Sequence, residues 1–344
     1  VLGKGVAAGT AQVLAGPGHG ALIGSGDLHE LGDEASGHGA AEQLRGEVAG
    51  SRGGHHRLAC ADDAEVVDAL FGAVEKWAVG QGMEALQGPM GFTDMDHEGM
   101  LIEGFDQIGT MATIYNYPYY PKQMERMGYT KDQDWHEFKI YIPDGVPEKH
   151  LRIGEIVKKK YGLKVMKFKN AKSIMPYAQK VFRTLNESYA PLYGFARLTQ
   201  KQIDYYINMY IPMLRYDLVT LIVREEDDEV VGFGISLPNL SKAMQKAKGH
   251  LFPFGWIYLL KALKSKPKVI DLYLTGVLPE YQSKGVNALL FNDLIPVYKS
   301  VGAIYAESNP ELETNNAVQA QWDYFKREHH KTRRAYIKQL KGKS

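Results

Sequence analysis

A chain of 344 residues with a formal net charge of +1 and 24% charged residues is long enough for two domains, and it carries no global field that would select nucleic acid or an anionic surface. Its single cysteine, Cys60, excludes an intramolecular disulfide framework and a thiolate zinc site, and suits a reducing compartment. No apolar run reaches the roughly 18 residues of a membrane-spanning helix and the opening VLGKGVAAGT lacks the long apolar core of a signal peptide, so a cytoplasmic chain without a transmembrane segment is expected.

Residues 1–60 contain no Phe, Tyr or Trp, and stretches such as GPGHGALIGSG and ASGHGAAEQLRG hold neither the helical nor the alternating period. They are expected to be disordered or poorly packed, either as a natural flexible tail or as an out-of-frame translation of a GC-rich stretch. A helix follows abruptly over 63–80, with Val66, Val67, Leu70, Val74 and Trp77 on one face. GMEALQGPMGF reads as a short strand leaving through a Gly-Pro turn, TDMDHEGMLIEGF as a loop, YYPKQMERMGY as a helix closed by Gly128, and DWHEFKIYIP as an alternating strand. The tyrosine-rich ATIYNYPYYPKQ either packs between domains or lines a ligand site.

LRIGEIVKKKYG is a helical connector, LKVMKFK a strand, and 171–189 and 199–214 are amphipathic helices. LVTLIVREEDDEVVGFGISLP is a hairpin whose Glu226, Asp227 and Asp228 form a solvated turn. After it comes NLSKAMQKAKGHLFPFGWIYLLKALKSKP, basic around an apolar centre. As a helix pair it would carry Leu251, Phe252, Phe254, Trp256, Ile257, Leu259 and Leu260 to pack between the halves, to line a channel for an acyl chain or apolar acceptor, or to touch a membrane. The strand KVIDLYLTGVL, the helix GVNALLFNDLIPVYKSVG, the strand AIYAE, a helix over 313–327 and the strand KTRRAYIKQL complete the chain. The pattern predicts an α/β (α+β) fold, a mixed central sheet flanked by helices, divided into 1–60, 61–150 and 151–344.

The turn QSKGVN hands a strand to a helix. Backbone N–H groups of residues 283–288 lie at a helix N-terminus, where donors lack intrahelical partners and the dipole favours an anion. Gly285 allows close approach of a phosphate and Lys284 adds a cation. An ordinary strand-to-helix turn is the competing reading.

Val277-x-Pro279-x-Tyr281-Gln282-x-Lys284-Gly285 resembles the acyl-CoA loop of the GNAT N-acetyltransferase superfamily, whose core is Gln/Arg-x-x-Gly-x-Gly/Ala. Gln282 and Gly285 match and Asn287 departs, while the element order from 163 to 340 follows that family. The resemblance implies two tandem GNAT-like halves, the first degenerate or incomplete. It further implies acetyl-CoA or another acyl-CoA as co-substrate, no metal, and N-acyl transfer to a small-molecule or peptide amine by direct attack on the thioester. Its binding set would be Val277, Leu278, Gln282, Ser283, Lys284, Gly285, Val286, Asn287 and Ala288, with Asn309 on the pantetheine arm. The N–H of Val277 or Leu278 would polarise the carbonyl, and Glu307, or secondly Tyr273, would take the amine proton.

Many members carry a tyrosine in the last helix as acid for the thiolate. The same count from Asn315 reaches Trp322, whose indole donates only, and Tyr324 faces away. The run KREHHKTRR reads as a solvated edge or as a contact to the ribose phosphate of CoA, and nucleic acid is not expected as a partner. Two other classes stay open: a Fem-like transferase using aminoacyl-tRNA, and a non-catalytic acyl-CoA-binding protein. The sequence does not fix the acceptor, the acyl length or the oligomeric state.

Overall fold

The computed structural model describes residues 10–15, 20–22, 62–91 and 96–340. The chain forms two compact units, Val1–His136 with Lys331–Ser344, and Glu137–His330. The division thus falls earlier than the boundary expected near residue 150, and the end of the chain belongs with the first unit.

In the first unit β1 (Thr10–Ala15) and β2 (Gly20–Leu22) pair antiparallel. Part of the segment expected to lack lasting structure therefore forms strands, and the rest of residues 1–60 lies outside the described residues. Helix α1 (Ala64–Gly80) starts where the Asp63 carboxylate accepts from the Glu65 N–H at 2.8 Å, an N-cap that satisfies an orphan donor of the first turn. Its apolar stripe buries Val74 and Ala78 against Met83, Leu86, Met124, Tyr129 and Tyr336. β3 (Met83–Met90) lies between β1 and the chain's last strand, with Tyr336 opposite Gly88.

β4 (Met100–Glu103), expected as loop, pairs with the same last strand and places Leu101 in the core. α2 (Tyr119–Arg126) and β5 (Thr130–Tyr141) follow, the latter continuing into the second unit. Tyr117 and Tyr119 stack at 5.8 Å on the surface of this unit, and Tyr115 and Tyr117 are exposed.

The second unit opens with α3 (Glu148–Tyr161), which ends on Gly162 in the left-handed conformation, and β6 (Leu163–Met166). α4 (Ala171–Tyr189) starts with a capping box of Asn170 and Ser173, and α5 (Gln200–Tyr210) with one of Thr199 and Gln202. β7 (Val219–Arg224) and β8 (Val230–Pro238) form the expected hairpin. Asp227 and Asp228 at its turn pair with Arg224 and Lys164, and Arg224 holds the Asp227 carboxyl down to about 2. α6 (Ser241–Lys246) and α7 (Gly255–Lys264) make up the insertion before β9 (Val269–Val277).

α8 (Asn287–Ser300), β10 (Tyr305–Glu307), β11 (Glu311–Leu312), α9 (Asn316–Gln319) and β12 (Arg327–Gln339) complete the chain. The helix expected over 313–327 is one short turn and a 3-10 segment, because the Gln319 carbonyl accepts from Arg327 at 3.0 Å and Trp322 turns inward.

Within this unit the strand order is β5-β10-β9-β8-β7-β6, with β10 parallel to β9 and β7 and β8 antiparallel to their neighbours. This is the mixed α/β sheet flanked by helices that the pattern predicts. Leu221, Ile222 and Val223 are all buried, so β7 reads as a continuous apolar run. α3 lies close to α8, so that a Cβ at Gly154 would press on the Asn292 and Leu289 side chains.

The run KREHHKTRR is solvated only over 326–329, and from Lys331 onward it turns inward. Lys331 and Arg333 are each 1% exposed in β12, because the strand has neighbours on both sides. Arg333 donates to the Ile114 carbonyl at 2.7 Å, and Arg334 forms a bidentate pair with Asp134 at 2.8 and 2.9 Å. Burial pushes the Asp134 carboxyl up, but Arg334 and Lys131 outweigh it and hold it below its usual range. Arg334→Met is expected to cost about 2–3 kcal/mol in urea unfolding by leaving the buried Asp134 carboxyl with Lys131 as its one remaining cation, and adding Asp134→Asn should restore most of the loss.

Candidate active site

β9 is paired with β8 along its whole length, from Ile270 opposite Pro238 to Val277 opposite Gly232. Its other edge meets β10 only through Tyr305–Val269, Ala306–Ile270 and Glu307–Asp271. From Leu272 onward the two strands part, and that edge of β9 has no strand partner among the described residues. Between the pairs Ile235–Leu274 and Ser236–Leu272 the register slips, which makes Tyr273 the extra residue of a β-bulge. An open strand edge is a template for another extended, amide-bearing chain. Asn309, just beyond β10, reaches over the gap and donates to the Tyr273 carbonyl, so it stands where the strands part.

β9 ends in the QSKGVN turn. The Leu278 N–H donates to the Val231 carbonyl at 2.9 Å, which removes Leu278 as the expected donor to a substrate carbonyl. Gln282 Nε2 donates to the Val277 carbonyl at 3.0 Å and so ties the turn to the strand. Ser283 and Gly285 have φ of 57° and 81° with Lys284 between them outside the left-handed region, an alternation that turns successive N–H groups into one concavity. The N–H groups of Ser283, Gly285, Val286 and Asn287 have no acceptor among the described residues. Those of Lys284 and Ala288 are used within the turn, at 3.4 Å to Tyr281 and 3.0 Å to Gly285, which corrects the expected contribution of Ala288.

α8 begins at Asn287, so its positive end points into the same concavity. Gly285 is required by its φ and by space: a Cβ there would lie 2.7 Å from Ile153 on α3. Lys284 Nζ sits 5.4 Å from the Tyr161 ring and 5.7 Å from that of Tyr281, at the rim. The donor set therefore fits a pyrophosphate.

At the other end of the open edge, Glu307 and Asp271 are paired across parallel strands and share a face. Glu307 is 4% exposed and its Oε1 lies 2.6 Å from His330 Nε2 on β12, while Asp271 accepts from Asn239 at 2.8 Å. Tyr273 donates its hydroxyl to Tyr210 at 3.0 Å, and burial pushes its phenol far above its usual value. A proton held that firmly does not leave near neutral pH, which counts against Tyr273 as the expected second base.

Two residues escaped the sequence reading. His330 sits inside a run that looked merely basic. Glu311 is separated from Glu307 and Glu313 by nothing in the spacing; only its surroundings set it apart. Its Oε1 accepts from the Trp322 indole at 2.7 Å, its Oε2 is buried without a partner, and burial pushes the carboxyl up to about 8. Trp322 thus stands at the position of the absent acid and holds a carboxyl that is protonated at neutral pH. Among the described residues no group of three or more His, Cys, Asp or Glu side chains is placed to hold a metal ion.

No protein-family model matches the sequence. The chain is 28% identical over 308 residues to Protein YghO of Escherichia coli (strain K12), covering 87% of this chain and 77% of that protein. It is 28% identical over 291 residues to a bacterial ceramide synthase of Caulobacter vibrioides, covering 82% and 74%. The solved structures it resembles include GNAT N-acetyltransferases. They include a tandem GNAT protein from the clavulanic acid biosynthesis pathway, with a TM-score of 0.43 at 13% identity over 81% of this chain and 71% of that one. A GCN5-related N-acetyltransferase from Sphaerobacter thermophilus gives a TM-score of 0.41 at 13% identity over 66% and 58%.

Because Glu311 keeps its proton in the folded chain to about 8 and releases it near 4.5 when unfolded, stability should fall as pH rises through that window. The slope is at most about 1.4 kcal/mol per pH unit. Glu311→Gln should remove this component, seen as urea midpoints that lose part of their pH dependence between those limits.

Proposed function

We propose that the second unit is an acyl-CoA-dependent N-acyltransferase site in which an amine attacks a thioester laid along the open edge of β9. The observation that carries this reading is the parting of β10 from β9 after Asp271, with a bulge at Tyr273 and an anion cradle where β9 ends. The N–H groups of Ser283, Gly285, Val286 and Asn287 would bind the pyrophosphate of CoA, with Lys284 at the rim and Gln282 fixing the turn. The free edge of β9 would pair with the amides of the pantetheine arm beside Asn309. A backbone N–H at the bulge, in place of Leu278, would receive the charge that develops on the carbonyl oxygen.

Glu307, oriented by His330, would accept the proton that the amine nitrogen loses as the C–N bond forms. When the C–S bond breaks, the protonated Glu311 carboxyl would supply the thiolate's proton, the role that Trp322 cannot fill. This assignment favours catalysis over a purely binding role, and the cradle favours CoA over aminoacyl-tRNA. Among the described residues no helix is long and apolar enough to cross a membrane, and a cytoplasmic location is part of the same proposal.

A ceramide is by definition the amide of a fatty acid with a long-chain amino alcohol. The similarity to a ceramide synthase over most of both chains therefore supports a long acyl group and a long-chain amine in place of the expected acetyl transfer. The insertion supports the same choice. It joins the end of β8 to the start of β9, the end of β9 opposite the cradle, where an acyl group carried on the arm would point.

Gly285→Asp is not a clean test, because its φ of 81° strains any side chain. Asn287→Asp is isosteric, and an acidic residue in the first turn of α8 favours folding. It should leave the thermal midpoint unchanged or raised while weakening CoA binding at least about tenfold by calorimetry, through charge repulsion at the cradle. Wild-type protein giving no heat with millimolar CoA or long-chain acyl-CoA would overturn the assignment. Glu307→Gln should lower kcat by about 10²- to 10⁴-fold, abolish the acidic limb of the pH–rate profile and leave CoA affinity intact.

A further inference from the structure

We propose that the insertion between β8 and β9, residues 239–268, is a docking surface for an anionic lipid bilayer. Helix α7 carries Trp256, Ile257, Tyr258, Leu259 and Leu260 in succession, yet its only buried residue is Gly255. Just before it, Phe252 and Phe254 are 78% and 66% exposed, the most exposed large apolar side chains among the described residues. A helix that served the core would bury one apolar stripe and show a polar one. This one shows its apolar residues to solvent, and the expected roles as packing between halves or lining of a closed channel do not account for that exposure. The indole of Trp256 is fixed by donation to the Pro253 carbonyl at 3.0 Å, so the ring is held on the surface rather than free to fold away.

Charge identifies the occupant. From Asn239 to Val269 there is no Asp or Glu, and every lysine of the segment is exposed, Lys261 and Lys264 on α7 itself and Lys266 and Lys268 beyond it. None of these forms an ion pair among the described residues. Apolar and aromatic side chains flanked by unneutralised lysines match the boundary between headgroups and acyl chains of a bilayer rich in anionic lipid. There, rings bury, lysine stems lie along apolar surface and each ammonium near the surface is drawn to the anionic headgroups. A second copy of the chain fits less well, since a two-fold contact through this patch would set lysines against lysines. The site begins at β9 and the surface ends there, so an acyl substrate resident in a bilayer would enter without crossing water. The docking surface itself stands on exposure and charge alone, apart from the reading of the site.

The test is co-sedimentation of the full chain with vesicles of phosphatidylcholine alone and of phosphatidylcholine with about one third phosphatidylglycerol, at low and at high salt. Binding should be at least about tenfold tighter to the anionic vesicles and weaken with salt. Tryptophan emission should shift to the blue and be quenched by brominated acyl chains. Phe252→Ser with Phe254→Ser, and separately Lys261→Glu with Lys264→Glu, should each lower vesicle binding about tenfold or more while circular dichroism and the thermal midpoint stay unchanged, since all four side chains are exposed. Equal sedimentation with and without vesicles would overturn the proposal. So would sedimentation velocity showing a dimer that the Phe252→Ser, Phe254→Ser chain fails to form, because the patch would then be a protein interface.

Discussion

A strand buried in a sheet must find partners for the donors and acceptors on both of its edges, and among the described residues β9 has them along the whole of one edge but only at the start of the other. β8 satisfies one side throughout, while β10 stays for three residue pairs and then leaves. Everything at the site is arranged around that incomplete pairing. The bulge at Tyr273 lies within the unpaired stretch, Asn309 spans the gap, and the cradle lies where the stretch ends.

The cradle and the carboxylates are held by different means. The turn is rigid because its backbone conformations leave little choice: Gly285 is locked by its own φ and by Ile153 and Val157 on α3, and Gln282 is bound back to Val277. Its free N–H groups cost little without a ligand because the turn lies at the surface, where water serves them. Glu307 is buried beside His330, and Glu311, half-buried, accepts from the Trp322 indole, both neighbours coming from a later part of the chain.

Much of this was legible in the sequence because it is local. Asp63, Asn170 and Thr199 announce helix starts, and the strand, polar turn and helix around QSKGVN follow from period and glycine placement. Glu307 follows from its place at the end of AIYAE. What escaped depends on neighbours distant in the chain. Lys331 and Arg333 look like surface cations until two flanking strands enclose them, and Glu311 is one of several nearby glutamates until burial singles it out. The bulge is a mismatch between two strands and belongs to neither sequence alone. The failed helix over 313–327 shows the same limit, since Arg327 ends it by taking the Gln319 carbonyl.

β5 and β12 each pass from one unit to the other in mid-strand, between His136 and Glu137 and between His330 and Lys331, with no linker at either place. A genetic event that copied, fused or discarded the second unit alone would have to cut through two strands and leave their ladders open. The unit that holds the site is therefore not a transferable cassette. The two units of this chain are constrained to be inherited, synthesised and lost together.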